Sequence, residues 1–142
     1  MTCSKTFSIA IWAFCASCLL FLYGCGARFQ FDKRLEVQWQ LMEITLPDGS
    51  ISNPEAQYVS FASRIVNLYD PLGSMIGGNM VYDTDYQVLT LNFHQEEGLW
   101  LGAWGIMSET PVTVVYHVEE LSKSQLILRQ VSNNTILKYR KF

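Results

Sequence analysis

Cysteine is nearly absent from the part of this chain that could fold. All four cysteines, Cys3, Cys15, Cys18 and Cys25, fall in the first 25 residues. The remainder has no thiol pair to cross-link and must hold together by packing and strand pairing. Histidine is scarce as well: only His94 and His117 occur, too few for a zinc-type ligand set once the cysteines are set aside. Basic residues number 10 against 13 acidic ones, a balance that excludes the basic face of a nucleic-acid binder. No nucleophile elbow, phosphate loop or zinc-helix motif is present. The adjacent pairs Glu96-Glu97 and Glu119-Glu120 point to opposite faces of a strand, so neither forms the facing carboxylates of acid-base hydrolysis. These absences argue against an enzyme and imply no metal and no cofactor.

What is abundant comes first in the chain. Phe7 to Leu22 is almost wholly apolar and is preceded by the single charge of Lys5, the layout of a secretory signal segment. The run closes on Leu22-Tyr23-Gly24-Cys25, which resembles the bacterial lipobox; Leu22, Gly24 and Cys25 fit that pattern and Tyr23 departs from it. The resemblance implies cleavage before Cys25 and a lipid anchor on its sulfur, with residues 1–24 as signal peptide and 25–34 as tether. Length alone also suits an uncleaved membrane span, since Phe7 to Cys25 is 19 residues against the roughly 17 to 25 required. Cleavage at Gly24 or Ala27 without lipidation is a further alternative. No acidic run follows Cys25, which tilts the expected location to the periplasmic face of the outer membrane.

Beyond the tether, 35–142 forms one domain, and the period changes to two. Glu36 to Leu46 alternates and carries β-branched and aromatic residues, then ends in the turn Pro47-Asp48-Gly49-Ser50. Ile51 to Pro54 reads as loop. Tyr58–Ala62 and Arg64–Tyr69 read as a strand pair or one bent strand, because Ala62-Ser63 is a poor turn. Met75–Asp83 is a strand containing Gly77-Gly78, which suggests a bulge or bend. Tyr86–Phe93, Val112–Leu121, Gln125–Val131 and Thr135–Phe142 complete the set. Between them, Leu99 to Ile106 could be a short helix, a glycine-broken strand or an apolar loop. About eight strands with short links predict an all-β fold, either an antiparallel up-and-down barrel or a two-sheet sandwich. Closure into a barrel removes unpaired edges.

A tryptophan soon after the lipobox, then Leu46-Pro47-Asp48-Gly49, then a meander ending Tyr139-Arg140-Lys141-Phe142, resembles the small lipocalin-like lipoproteins of Bacteroides and its relatives. The resemblance spans Glu36 to Phe142 and implies an eight-stranded lipocalin-like barrel. It also implies that Arg140 packs over Trp39 to close the barrel floor, although Val37 stands where that family places glycine.

The aromatic set Trp39, Phe61, Tyr82, Phe93, Trp100, Trp104 and Tyr116 is the feature with binding content, as the lining of a pocket for a small apolar ligand. Packing alone would also employ these rings. Trp100 and Trp104 sit in a glycine-rich stretch, where exposed indoles would form a lid, a partner surface or a membrane contact. Two functions follow. One is a lipid-anchored, non-enzymatic barrel that binds an apolar ligand near Trp100 and Trp104. The other is a filled barrel acting as a structural or protein-interaction module. The sequence does not set an oligomeric state.

Overall fold

The computed structural model describes residues 32–93, 101–106 and 112–142. Cys25 and Trp100, and with them the signal segment and most of the tether, lie outside the described residues. Nine strands form in chain order: β1 (Gln38–Thr45), β2 (Ile51–Ser52), β3 (Tyr58–Ala62), β4 (Ile65–Tyr69), β5 (Met75–Asp83), β6 (Val88–Phe93), β7 (Val112–Leu121), β8 (Gln125–Gln130) and β9 (Ile136–Lys141). All neighbours are antiparallel, and β3 to β9 follow one another in space as they do in sequence. The sheet closes where β1 pairs with β9, with Trp39 opposite Lys141 and Thr45 opposite Ile136. The result is a barrel of eight strands plus the short β2, which adds to the upper half of β1 through Ile44↔Ser52 and Thr45↔Ile51. The barrel, rather than the sandwich, is therefore the architecture, and part of the expected Ile51–Pro54 loop is strand.

Alternation explains which side chains face inward. Trp39 and Leu41 in β1, Val66 and Leu68 in β4, Leu126 and Leu128 in β8, and Leu137 and Tyr139 in β9 are buried, while their neighbours are less so. Two bulges break the period without any glycine to announce them. One lies between Leu41 and Glu43, so that Met42 and Glu43 both face out and Ile44 returns to the core. The other lies between Val118 and Glu120. At Gly77-Gly78, where a bulge or bend was expected, the register with β4 runs through both glycines unbroken, and that with β6 runs unbroken from Gly78. The reason for Gly78 is packing: a Cβ there would lie 2.6 Å from the Asn92 carbonyl oxygen and 2.8 Å from the Phe93 ring.

Ser63 resolves the ambiguity between one bent strand and two. It adopts φ of 56°, a turn conformation costly for a side-chain-bearing residue, and its N–H donates to Glu36 Oε1 at 3.2 Å. The turn is thus supported by the chain segment that precedes β1.

The antiparallel meander gives the barrel two distinct ends. Asp32 to Val37, the turns at Ser63-Arg64, Thr84 to Gln87 and Ser122 to Ser124, and Phe142 share one end. The turns after β1, β4 and β8 share the other, as does the connection from β6 to β7. The first is called here the tether end and the second the mouth. The described residues belong to one compact unit, and 23 buried hydrophobic residues among them form a single contiguous cluster.

Candidate functional site

At the tether end the core is closed by a turn of the chain. Leu35 N–H donates to the Asp32 carbonyl at 2.9 Å and Glu36 N–H to that of Lys33 at 3.2 Å, which turns Leu35 under the strands. Leu35 and Trp39 are both fully buried, and the indole N–H donates to the Leu35 carbonyl at 3.2 Å. Burying an indole with its N–H satisfied removes the main cost of placing this ring in a core. The floor is therefore a leucine and a tryptophan supplied by one short stretch of chain.

Arg140 takes no part in that floor. The inward positions of β9 are Leu137 and Tyr139, so Arg140, one residue on, faces out. It stands opposite Gln40, and its Nε and Nη2 donate to Gln40 Oε1 at 3.0 and 2.8 Å. The expected stacking of guanidinium on Trp39 is replaced by an outer-wall bond to the neighbour of that tryptophan. Asp32, also at this end, accepts from Arg34 at 2.7 Å, and that bond holds its carboxyl below the usual range.

At the mouth, Leu101 to Trp104 makes a single 3₁₀ turn, which decides among the three forms considered for this stretch. Leu101, Trp104 and Ile106 are buried and belong to the core. The Trp104 indole N–H donates to the Tyr58 carbonyl at 3.3 Å. Gly105 has φ of 71°, and a Cβ there would lie 2.6 Å from Leu137 Cδ2 and 3.1 Å from Ile44 Cγ2. The glycine thus lets the backbone pass against the inward side chains of β1 and β9. Trp104 is an inserted side chain and not an exposed one.

The structure sorts the aromatic set accordingly. Trp39, Phe61, Phe93, Trp104 and Tyr116 are buried core residues. Tyr82 is partly buried and packs against that core, and desolvation raises its phenol pKa. Burial pushes the phenol pKa of both Tyr116 and Tyr139 well above the ordinary tyrosine value, and the neighbouring Tyr139 adds to the rise at Tyr116.

Sequence reasoning missed the polar atoms of the interior. Tyr116 is opposite Gln130, and Gln130 N–H donates to the Thr135 carbonyl at 2.8 Å. Tyr116, Gln130 and Thr135 consequently occupy successive inward positions across β7, β8 and the entry to β9, all buried. The Tyr116 hydroxyl and Thr135 Oγ1 have no hydrogen-bond partner among the described residues. Buried hydroxyls without partners are costly in a finished core and mark where a polar atom of a bound molecule or water would be favoured. The signal available in the sequence was Gln130 itself, in phase with Leu126 and Leu128.

Outside the barrel, a groove of about 560 Å³ lies between Asn53-Pro54-Glu55 and the outer positions Gln125, Lys138 and Arg140. Lys138 Nζ donates to Glu43 Oε1 at 2.7 Å, which lowers the carboxyl pKa of Glu43. The groove's charges are mixed. His117 is exposed on β7 and faces away from Tyr116, while Asp83 Oδ1 accepts from the N–H groups of Asp85 and Tyr86 as a turn former. Among the described residues no three His, Cys, Asp or Glu side chains come together as a metal would require.

Comparison with known proteins agrees with this architecture. The lipocalin-like domain family matches residues 19–142. Two solved structures are similar in fold: a lipocalin-like protein from Bacteroides uniformis and an uncharacterized protein from Bacteroides eggerthii. The first is 19% identical, with 77% of this chain and 99% of that one covered at a TM-score of 0.61. The second is 19% identical, with 76% and 99% covered at the same TM-score of 0.61. No curated protein matches.

Proposed function

The chain belongs to the lipocalin-like domain family, and on that premise we propose that it is a non-catalytic envelope lipoprotein, anchored through Cys25, whose barrel binds a small apolar ligand at the mouth. The observation that carries the ligand reading is the inserted segment. Leu101, Trp104 and Ile106 fill the mouth with side chains of ligand-like chemistry, and the Trp104 N–H to Tyr58 carbonyl bond is the one side-chain hydrogen bond described for this segment. Packing, which an apolar ligand can replace, does the rest. The buried Tyr116 and Thr135 hydroxyls would offer partners to one polar end of such a molecule, the pattern of few polar groups in an apolar lining.

A second reading has its own support. The core is contiguous from Leu35 to the mouth segment, as a barrel working closed, as an interaction module, would require. Native mass spectrometry of lipids and small molecules retained by residues 25–142 separates the two. A retained apolar compound, displaced when a brominated fatty acid quenches tryptophan fluorescence, supports the first. No retained compound and no quenching, in wild type and in Trp104→Ala alike, leaves the closed module.

Anchoring is tested apart from binding. Cys25→Ala should move the protein from the membrane to the soluble fraction, and continued membrane retention would count against lipidation. Its support is the lipobox-like Leu22-Tyr23-Gly24-Cys25 after an apolar run.

A further inference from the structure

The groove outside the barrel is built by two departures from regular strand. In β1 the bulge between Leu41 and Glu43 puts Met42 and Glu43 side by side on the outer face, and bulges commonly re-aim side chains beside a site. Next to them the chain leaves β1 after Ser52, which is opposite Ile44, and rejoins it at Gln57, whose carbonyl accepts from Leu41 N–H at 2.9 Å. Ala56 makes that return with φ of 56°, a conformation costly for a residue with a side chain and kept only where its surroundings impose it. Asn53, Pro54 and Glu55 thereby form one wall. The opposite wall comes from β8 and β9, where Gln125 stands opposite Arg140 and the Ser124 carbonyl accepts from Lys141 N–H at 2.9 Å. Because β1 lies between β2 and β9 in the sheet, Met42 makes the floor.

The charges in this groove are not all answered from within. Lys138 and Glu43 satisfy each other. Arg140 donates through Nε and Nη2 to the neutral Gln40, so Nη1 is left over and, among the described residues, no carboxylate pairs with the guanidinium. Glu55 is exposed and, among the described residues, has neither a hydrogen bond nor an ion pair. Either charge alone would be an ordinary solvated surface group. Their placement on opposite walls of one concavity of about 560 Å³, in the size range of small-molecule sites, selects a ligand charged at both ends. The remaining polar side chains are the amides of Asn53 and Gln125 and the hydroxyl of Ser124. An amide offers a donor and an acceptor together, the complement of a peptide group.

We infer that this groove binds short peptides with free termini: the ammonium group pairs with Glu55, the carboxylate with Arg140 and the Ser124 hydroxyl, the peptide groups with Asn53 and Gln125, and an apolar side chain rests on Met42. The two walls stand two strand spacings apart across β1, about 10 Å. Two or three residues at roughly 3.5 Å each span that gap, whereas a single amino acid carries its charges too close together to reach both walls. A thioether floor accommodates side chains of differing shape, so recognition reads the termini and backbone more than the side chain. Phosphocholine has the same pair of charges and lacks the backbone amide that Asn53 and Gln125 complement. The site lies on the outer face of β1 and β9, whereas the apolar segment at the mouth packs on their inward side chains, so the inference does not rest on a ligand inside the barrel.

Isothermal titration calorimetry on residues 25–142 tests this with the tripeptide Ala-Leu-Ala, its N-acetylated form, its C-terminal amide and phosphocholine. Ala-Leu-Ala should bind the wild-type chain, and each cap should weaken it about tenfold, as one charge-assisted hydrogen bond is lost. Glu55→Gln should bind the uncapped peptide about tenfold more weakly and become indifferent to acetylation while still sensing the amide. Arg140→Gln should do the reverse. Both side chains are exposed, so the urea midpoints should match that of wild type. The capped peptides probe the wild-type chain by itself, and their outcome does not depend on either variant. Absence of binding by Ala-Leu-Ala at millimolar concentration overturns the proposal, as does indifference of wild type to both caps, or a cap effect that persists in the variant lacking its partner. Phosphocholine bound as tightly as the peptide also overturns it, because the two charges alone would then suffice.

Discussion

The Trp104 indole N–H reaches the carbonyl of Tyr58 at 3.3 Å across 46 residues of sequence. With that bond, the longest connection of the meander is tied to the first residue of β3. The same side chain is 3% exposed, so it stabilises the closed mouth by apolar burial as well as by its polar tip.

Two substitutions separate these contributions. Trp104→Phe keeps most of the packing and loses the hydrogen bond, at a cost of about 1 kcal/mol. Trp104→Ala also loses the ring, at a cost of about 3 kcal/mol or more, and empties the mouth. Urea unfolding should rank wild type above Phe and Phe above Ala. If the mouth admits apolar ligands, the alanine variant should bind a fluorescent apolar dye more tightly. Equal midpoints for all three proteins would mean that Trp104 is not inserted in solution.

Gly105 and Gly49 both have positive φ, at 71° and 86°, yet they predict different outcomes. An added Cβ at Gly49 meets nothing within 4 Å, whereas at Gly105 it would meet Leu137 at 2.6 Å. Gly49→Ala should therefore cost about 1 kcal/mol from backbone strain alone. Gly105→Ala should cost about 2 to 3 kcal/mol more, because the mouth segment must lift off β1 and β9. Thermal unfolding of the two variants checks the ordering, and a Gly105→Ala protein as stable as Gly49→Ala would refute it.

Trp39 and Arg140 test where the floor is made. Arg140→Gln should leave stability unchanged within about 0.5 kcal/mol, as expected for an exposed outer-wall residue. Trp39→Ala should cost about 3 to 5 kcal/mol. A large loss for Arg140→Gln would restore the stacked arrangement that the lipocalin resemblance implied.

The case of Arg140 also shows what the sequence held. The alternation of β6, β8 and β9 was legible because each carries inward apolar residues at every second position, as in Leu126 and Leu128. Reading the same alternation through Leu137 and Tyr139 already puts Arg140 outside, which the family resemblance overrode. The bulges at Met42 and Glu119 were not legible, since a bulge needs no particular residue when the next inward position, Ile44, resumes the core. Gly77-Gly78 misled in the opposite sense: Gly78 makes room for the ring of Phe93 and the ladder stays intact. The mouth segment was ambiguous because its apolar and glycine residues suit either a lid or an insertion. Only the contacts to Ile44, Leu137 and Tyr58 distinguish them.

Tyr116 and Tyr139 predict how the barrel fails in alkali. Both phenols are buried and have pKa values raised above the ordinary figure, which is about 10 in an unfolded chain. Below that pH both states keep their protons, and the contribution of these groups to stability is fully present. Above it the unfolded chain releases protons that the folded barrel retains, so stability falls as pH rises. The melting temperature should accordingly drop between about pH 10 and 11, and drop less in Tyr116→Phe, which removes one of the two groups together with a buried hydroxyl that lacks a partner. Phenolate absorbance supplies the control. The phenolate signal of Tyr116 and Tyr139 should appear only with unfolding. Ionisation of every tyrosine ahead of any loss of β-sheet circular dichroism would mean that these two rings are reached by water in the native barrel.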